Sequence, residues 1–168
     1  MPEDPTSATA PIAVLYGTET FNAEGLAQRT GDALKKAGLR CAVIDMENFD
    51  PERLRGLGTA LVITSTYGNG DPPANAEIVH RWLMAADAPR LDGLRFSVCG
   101  LGDTTYPMFA QCGKDFDRRL GELGGARLHP RQDCDVDYEA PWAAWLTGVL
   151  GALTAAPPAP APAPPAAM

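Results

Sequence analysis

Short apolar runs alternate with segments of helical period along this chain, and that alternation constrains its fold more than any other feature. Ile12-Ala-Val-Leu-Tyr16 is brief and apolar at consecutive positions, as expected of a strand buried on both faces, and Cys41-Ala-Val-Ile44, Ala60–Ser65 and Arg95–Cys99 read as the second, third and fourth strands. After the first run, Ala23, Leu26, Ala27, Thr30, Ala33, Leu34 and Ala37 line one face of a helix over 22–37, stopped by Gly38. Asp50-Pro51 opens a short helix, with Asp as cap and Pro in the first turn. A helix is expected from Ala74 to Ala85, and another from Pro107 carrying Phe109, Cys112, Phe116, Leu120 and Leu123. A weak fifth strand is expected at Arg127–Leu128, and Trp142, Trp145, Leu146, Val149, Leu150 and Leu153 form the stripe of a closing helix. The expected class is α/β: a five-stranded parallel sheet covered by helices on both faces. Ligands of such sheets bind beyond the carboxyl ends of strands where strand order reverses. The informative residues therefore follow strands one, three and four.

Composition narrows the partners. The chain has 168 residues and a net charge of -7. Nucleic acid and anionic membrane both need a basic face, so neither is an expected partner. The four cysteines, at 41, 99, 112 and 134, form no C-x-x-C pair. That excludes zinc ribbons and thioredoxin-type chemistry and points to a reducing, cytoplasmic setting. The start is acidic and lacks the basic and apolar regions of a signal peptide. From Ala140 onward there is no charged side chain, yet the large apolar residues keep to one helical stripe, which reads as a packed helix and not a membrane span. Three segments are expected: a disordered stretch over 1–10, one folded domain over 11–153, and an Ala/Pro-rich tail over 154–168 holding six of the 16 prolines. The tail is either an idle extension or a semi-stiff tether.

Three loops carry the chemistry. After strand one, Gly17-Thr-Glu-Thr-Phe-Asn-Ala-Glu24 leads straight into a helix. The free N–H groups of a helix start suit a phosphate, and Thr18, Thr20 and Asn22 offer further neutral donors. The same segment also reads as an ordinary capped helix, and it lacks the Gly-Lys-Ser/Thr ending of a Walker A loop. After strand three comes Ser65-Thr-Tyr-Gly-Asn-Gly-Asp-Pro-Pro73, and after strand four Gly100-Leu-Gly-Asp-Thr-Thr-Tyr-Pro-Met-Phe109. Each is a glycine-rich loop that presents a tyrosine, and neither completes G-x-G-x-x-G. Two tyrosines sandwich a flat ring well. A flat ring bearing a phosphate on a polar chain describes FMN.

These three segments resemble the FMN-binding segments of the flavodoxin-like family, in particular the FMN domains of diflavin reductases of the sulfite reductase flavoprotein type. Gly113–Asp117, Leu120–Gly125 and Asp133-Cys-Asp-Val-Asp-Tyr138 resemble that subgroup too, and the likeness spans 11–153. The resemblance implies a flavodoxin-like three-layer sandwich with strand order 2-1-3-4-5, bound FMN, and single-electron transfer. It implies that Thr18, Glu19, Thr20, Phe21, Asn22 and Ala23 wrap the phosphate. It places Ser65, Thr66, Tyr67, Gly68, Asn69 and Gly70 along the ring, with Tyr67 and Tyr106 flanking it and the Gly68 peptide meeting flavin N5. Leu101, Gly102, Asp103 and Phe109 line the third loop, and Asp133 borders the pyrimidine or ribityl side. Phe21 departs from the pattern, standing where the family has Gly; its side chain either points to solvent or covers the ribityl chain. The implied partners are redox proteins, an FAD/NADPH reductase as donor and a haem or iron-sulfur protein as acceptor, to a monomeric carrier. The alternative activity is FMN-dependent, NAD(P)H-driven reduction of a small molecule such as a quinone. Asp133, Asp135 and Asp137 do not make a calcium loop, because Tyr138 and Ala144 stand at its Gly and Glu positions.

Overall fold

Strand β1 (Ile12–Gly17) lies inside a parallel sheet and is buried along its whole length. It pairs on one side with β2 (Cys41–Asp45) and on the other with β3 (Thr59–Ser65). Beyond β3 lies β4 (Arg95–Leu101), and two short strands, β5 (Ala126–Arg127) and β6 (Gln132–Cys134), share the outer edge of β4. The computed structural model describes residues 12–18, 21–66, 70–105 and 107–154. The order β2-β1-β3-β4-β5 is the one the resemblance implies.

Alternation along the buried strands splits the core into two halves. Ala13, Leu15, Ala60, Val62, Phe96 and Val98 pack with residues of α2 (Glu77–Met84) and α3 (Gln111–Glu122), among them Val79, Leu83 and Phe116. Ile12, Val14, Tyr16, Leu61, Ile63 and Cys99 pack with α1 (Asn22–Lys36) and α4 (Glu139–Thr154) through Leu26, Leu34, Trp142 and Trp145. Successive side chains point to opposite faces, so a fully apolar strand feeds both layers. The tryptophan stripe is anchored by polar contacts as well. Trp145 Nε1 donates to Ser97 Oγ at 2.9 Å, and Trp142 Nε1 to Thr30 Oγ1 at 3.1 Å. Burying an indole this way satisfies its one donor while removing its large apolar area from water.

Several expected boundaries move. The fifth strand is two segments: Arg95 pairs with Ala126, but Cys99 pairs with Gln132, so the register slips and residues between are looped out. Pro130 lies in that interval and has no N–H for a ladder. Helix α3 begins at Gln111 and not near Pro107, because Ala110 adopts φ 54° and interrupts any helix entering from before it. The 50s helix is a 3₁₀ segment, Pro51–Gly56, with the Asp50 carboxylate accepting from Glu52 N at 3.0 Å. The helix expected over Ala74–Ala85 is a 3₁₀ turn, Ala74–Ala76, followed by α2. The segments expected at either end, 1–10 and the tail after Thr154, lie outside the described residues.

Candidate functional site

The carboxyl ends of β1, β3, β4 and β6 form one rim, and the order reversal falls between β1 and β3. A cleft of about 200 Å³ opens there, lined by Asn22, Ser65, Thr66, Leu101, Gly102, Asp135, Val136 and Tyr138. Five of these were expected from sequence. Those five come from the ends of β1, β3 and β4 and the other three from the segment after β6, all at the rim the switch-point rule points to.

The turn after β1 is held hard against its neighbours. A Cβ on Gly17 would lie 2.8 Å from Ala76 Cβ and 2.9 Å from Thr64 Oγ1, so only glycine fits. Thr18 N donates to Asn75 Oδ1 at 2.9 Å. The Thr18 hydroxyl is buried and has no hydrogen-bond partner among the described residues. Phe21 then adopts φ 70° and ψ 0°, places no side-chain cap on α1, and leaves its ring 72% exposed. The left-handed conformation explains why glycine suits this position. Of the two orientations open for Phe21, the structure takes the one toward solvent. Gly25 N reaches Phe21 O at 2.9 Å. No partner among the described residues takes the N–H groups of Asn22, Ala23 or Glu24. Ala23 contributes backbone only, since its side chain is fully buried in the α1 layer. Asn22 Oδ1 accepts from Tyr138 OH at 3.2 Å, which leaves the amide nitrogen as a donor. Burial, with Glu24 and Asp45 nearby, pushes the Tyr16 phenol above its ordinary value and keeps it neutral.

The third loop is closed on itself. Thr104 donates to Asp135 through N at 3.0 Å and through Oγ1 at 2.6 Å. Those bonds and Val136 N hold the Asp135 carboxyl below its ordinary value. Asp103 is occupied by Thr105 N and Oγ1, at 2.9 and 2.6 Å. A Cβ on Gly102 would lie 2.7 Å from Ala110 N and 3.1 Å from the Phe109 ring, so Phe109 packs on this glycine at the loop's base. Thr66 Oγ1 accepts from Cys112 N at 3.1 Å, at the start of α3. Gly70 sits at φ 110° beside Met108.

Asp133 does not line the cleft. Arg131 engages its carboxylate at 2.8 and 3.3 Å, and also reaches the buried Asp117 at 3.1 Å. Residues Glu19, Thr20, Tyr67, Gly68, Asn69 and Tyr106 lie outside the described residues. The sequence reading missed Asn75, Asp135, Val136 and Tyr138 as rim residues. A strand ending at Cys134 would have placed 135–138 on the rim, but its three residues, Gln132–Cys134, carry too little pattern to be read.

The neutral donors present, the Thr18 hydroxyl and the Asn22 amide nitrogen, fit an anionic group such as a phosphate. A buried hydroxyl without a partner is unfavourable unless something accepts from it, and here it lies in the turn between β1 and α1. The family profile described as Flavodoxin matches residues 14–145. The chain belongs to the flavodoxin family. Flavodoxin-family proteins bind flavin, and electron transfer fits this module. It is 48% identical over 145 residues to the sulfite reductase [NADPH] flavoprotein alpha-component of Bacillus subtilis, covering 86% of this chain and 24% of that protein. It is 40% identical to the corresponding component of Klebsiella pneumoniae over 95% of this chain and 26% of the relative. The chain thus spans about a quarter of the curated relatives it matches. Among solved structures, a Streptococcus pneumoniae flavodoxin superposes with TM-score 0.76 at 28% identity, covering 86% of this chain and 97% of its own. A Pseudomonas aeruginosa flavodoxin variant gives 0.73 at 28% identity, over 85% and 98%. No helix among the described residues is long and apolar enough to cross a membrane.

Proposed function

We propose that this chain binds FMN at the rim and passes single electrons between a flavin reductase and a redox acceptor protein. The observation that carries the reading is the Thr18 hydroxyl, buried without a hydrogen-bond partner in the turn between β1 and α1. When bound, the flavin supplies the electron chemistry, accepting and releasing one electron at a time. The protein's own groups bind and orient. Thr18 Oγ1, the Asn22 amide and the first N–H groups of α1 would hold the phosphate with neutral donors. Leu101 and Gly102 would line the ring, with Tyr67 and Tyr106 against its faces. The loop clamped by Asp135 would border one side of the ligand. No acid, base or nucleophile is required of the protein.

The relatives' name supports an NADPH-fed reductase as donor, and the net charge of -7 supports docking to a basic face of the partner. The test mixes holoprotein with NADPH, first alone and then with a separate FAD-containing reductase. The reading expects the yellow colour to persist until the reductase is added. Rapid bleaching by NADPH alone would favour direct reduction of a small molecule instead.

A further inference from the structure

We infer that Asn75 is the positioning residue that makes this site prefer a phosphorylated flavin over the unphosphorylated one. The inference rests on the FMN reading and names the side chain that shapes the phosphate end of that site.

Asn75 sits in the 3₁₀ turn Ala74–Ala76, 57 positions from Thr18. Its Oδ1 accepts from Thr18 N at 2.9 Å, and its Nδ2 donates to Asp45 Oδ1 at 3.0 Å. The same Asp45 oxygen accepts from Glu47 N at 2.8 Å. A chain of hydrogen bonds therefore runs from the end of β2, through one amide, into the phosphate turn. The amide has only one workable orientation. Reversed, its NH₂ would face the Thr18 N–H and its oxygen would face a carboxylate.

The consequence is a division of labour within Thr18. Its backbone N–H is turned to Asn75 and withdrawn from the cleft, while its hydroxyl is left buried without a partner. Gly17 is wedged against Ala76 and Thr64, so the chain enters the turn in one way. A buried, unpaired hydroxyl drives a free turn to rearrange, so its orientation must be imposed from outside. Asn75 does so through the backbone, by accepting from the N–H of the residue that carries the hydroxyl. In the FMN reading that hydroxyl donates to the phosphate, so the effect belongs to the phosphate and not to the ring.

The experiment titrates the apoprotein of the full chain with FMN and, separately, with riboflavin, following quenching of flavin fluorescence. For Asn75→Ala the FMN Kd should rise about ten-fold or more, while the riboflavin Kd stays within about two-fold. In a Thr18→Val background the same substitution should cost less than about three-fold, because the hydroxyl it positions is gone. Asp45→Ala, which frees the amide, should shift FMN selectively by a smaller factor. Equal weakening of both flavins, no weakening, or an undiminished loss in the Thr18→Val background would each overturn the inference. If Asn75→Ala does not fold, Asp45→Ala decides: a selective FMN loss supports the inference and its absence overturns it. A wild-type protein that binds neither flavin removes the FMN reading and takes this inference with it. That failure shows before any variant is made.

Discussion

Two of the helices that start on the rim make a pair, α1 after Phe21 and α3 after Ala110. Each is entered through a non-glycine residue in the left-handed conformation, φ 70° and φ 54°, and neither carries a side-chain cap. A helix start leaves four N–H groups to be satisfied by something else. At α3 the protein supplies partners: Gln111 N bonds Met108 O at 3.1 Å, and Cys112 N bonds Thr66 Oγ1 at 3.1 Å. At α1 Gly25 N bonds Phe21 O at 2.9 Å, and in the turn that enters the helix the Thr18 hydroxyl is buried without a hydrogen-bond partner. The entries share their geometry and differ in what remains unsatisfied. A helix start closed by protein groups is structural, and the entry that keeps a buried donor without a partner is the one proposed to receive an anion.

That contrast breaks most sharply at Thr18. Thr18→Val keeps the shape and removes the orphan donor. It should weaken FMN binding by about 2 kcal/mol, the value of a hydrogen bond to a charged acceptor, with riboflavin binding unchanged by calorimetry. The corresponding change at the closed entry, Thr66→Val, strips Cys112 N of its acceptor. It should lower unfolding stability by about 1–2 kcal/mol in urea melts of the apoprotein, and leave the ratio of FMN to riboflavin affinity unchanged. A larger effect on that ratio at Thr66 than at Thr18 would invert the comparison.

Phe21 sharpens it further. Its ring is 72% exposed, so little packing offsets a left-handed backbone that disfavours any Cβ. Phe21→Gly should raise apoprotein stability by about 1 kcal/mol in the same melts. The smallest effect is expected at the third loop. Bonds from Thr104 Oγ1, then Thr104 N and Val136 N, depress the Asp135 carboxyl below its ordinary value of 3.8. A depressed carboxyl stabilises the fold above that value and loses its contribution as pH falls through the lowered one. The melting temperature of wild type should therefore exceed that of Asp135→Asn at neutral pH, with the gap closing as pH drops below 3.8. A constant gap across the acid range would show that the charge is not what holds the loop.

The fold was legible because its strands are buried on both faces, and such runs announce themselves. Ile12–Tyr16 and Ala60–Ser65 were readable for that reason. The outer edge was not, since β5 and β6 have two and three residues and no periodicity to read. That blind spot hid Asp135, Val136 and Tyr138, which lie just past β6. Asp133 sits next to Cys134, which is buried on the opposite layer, and its carboxylate is taken up by Arg131. The resemblance fixed its place in the chain but not which way it pointed. Asn75 was invisible for a different reason: its partner Thr18 is 57 positions away, and only the folded chain joins them.

The central claim is that the open entry to α1 receives the phosphate of FMN. Titration of the purified apoprotein with FMN, followed by flavin fluorescence and repeated with riboflavin, tests it most directly. The account predicts saturable quenching at one FMN per chain and clearly weaker binding of riboflavin. Equal affinity for the two flavins, or no quenching by either, would contradict it.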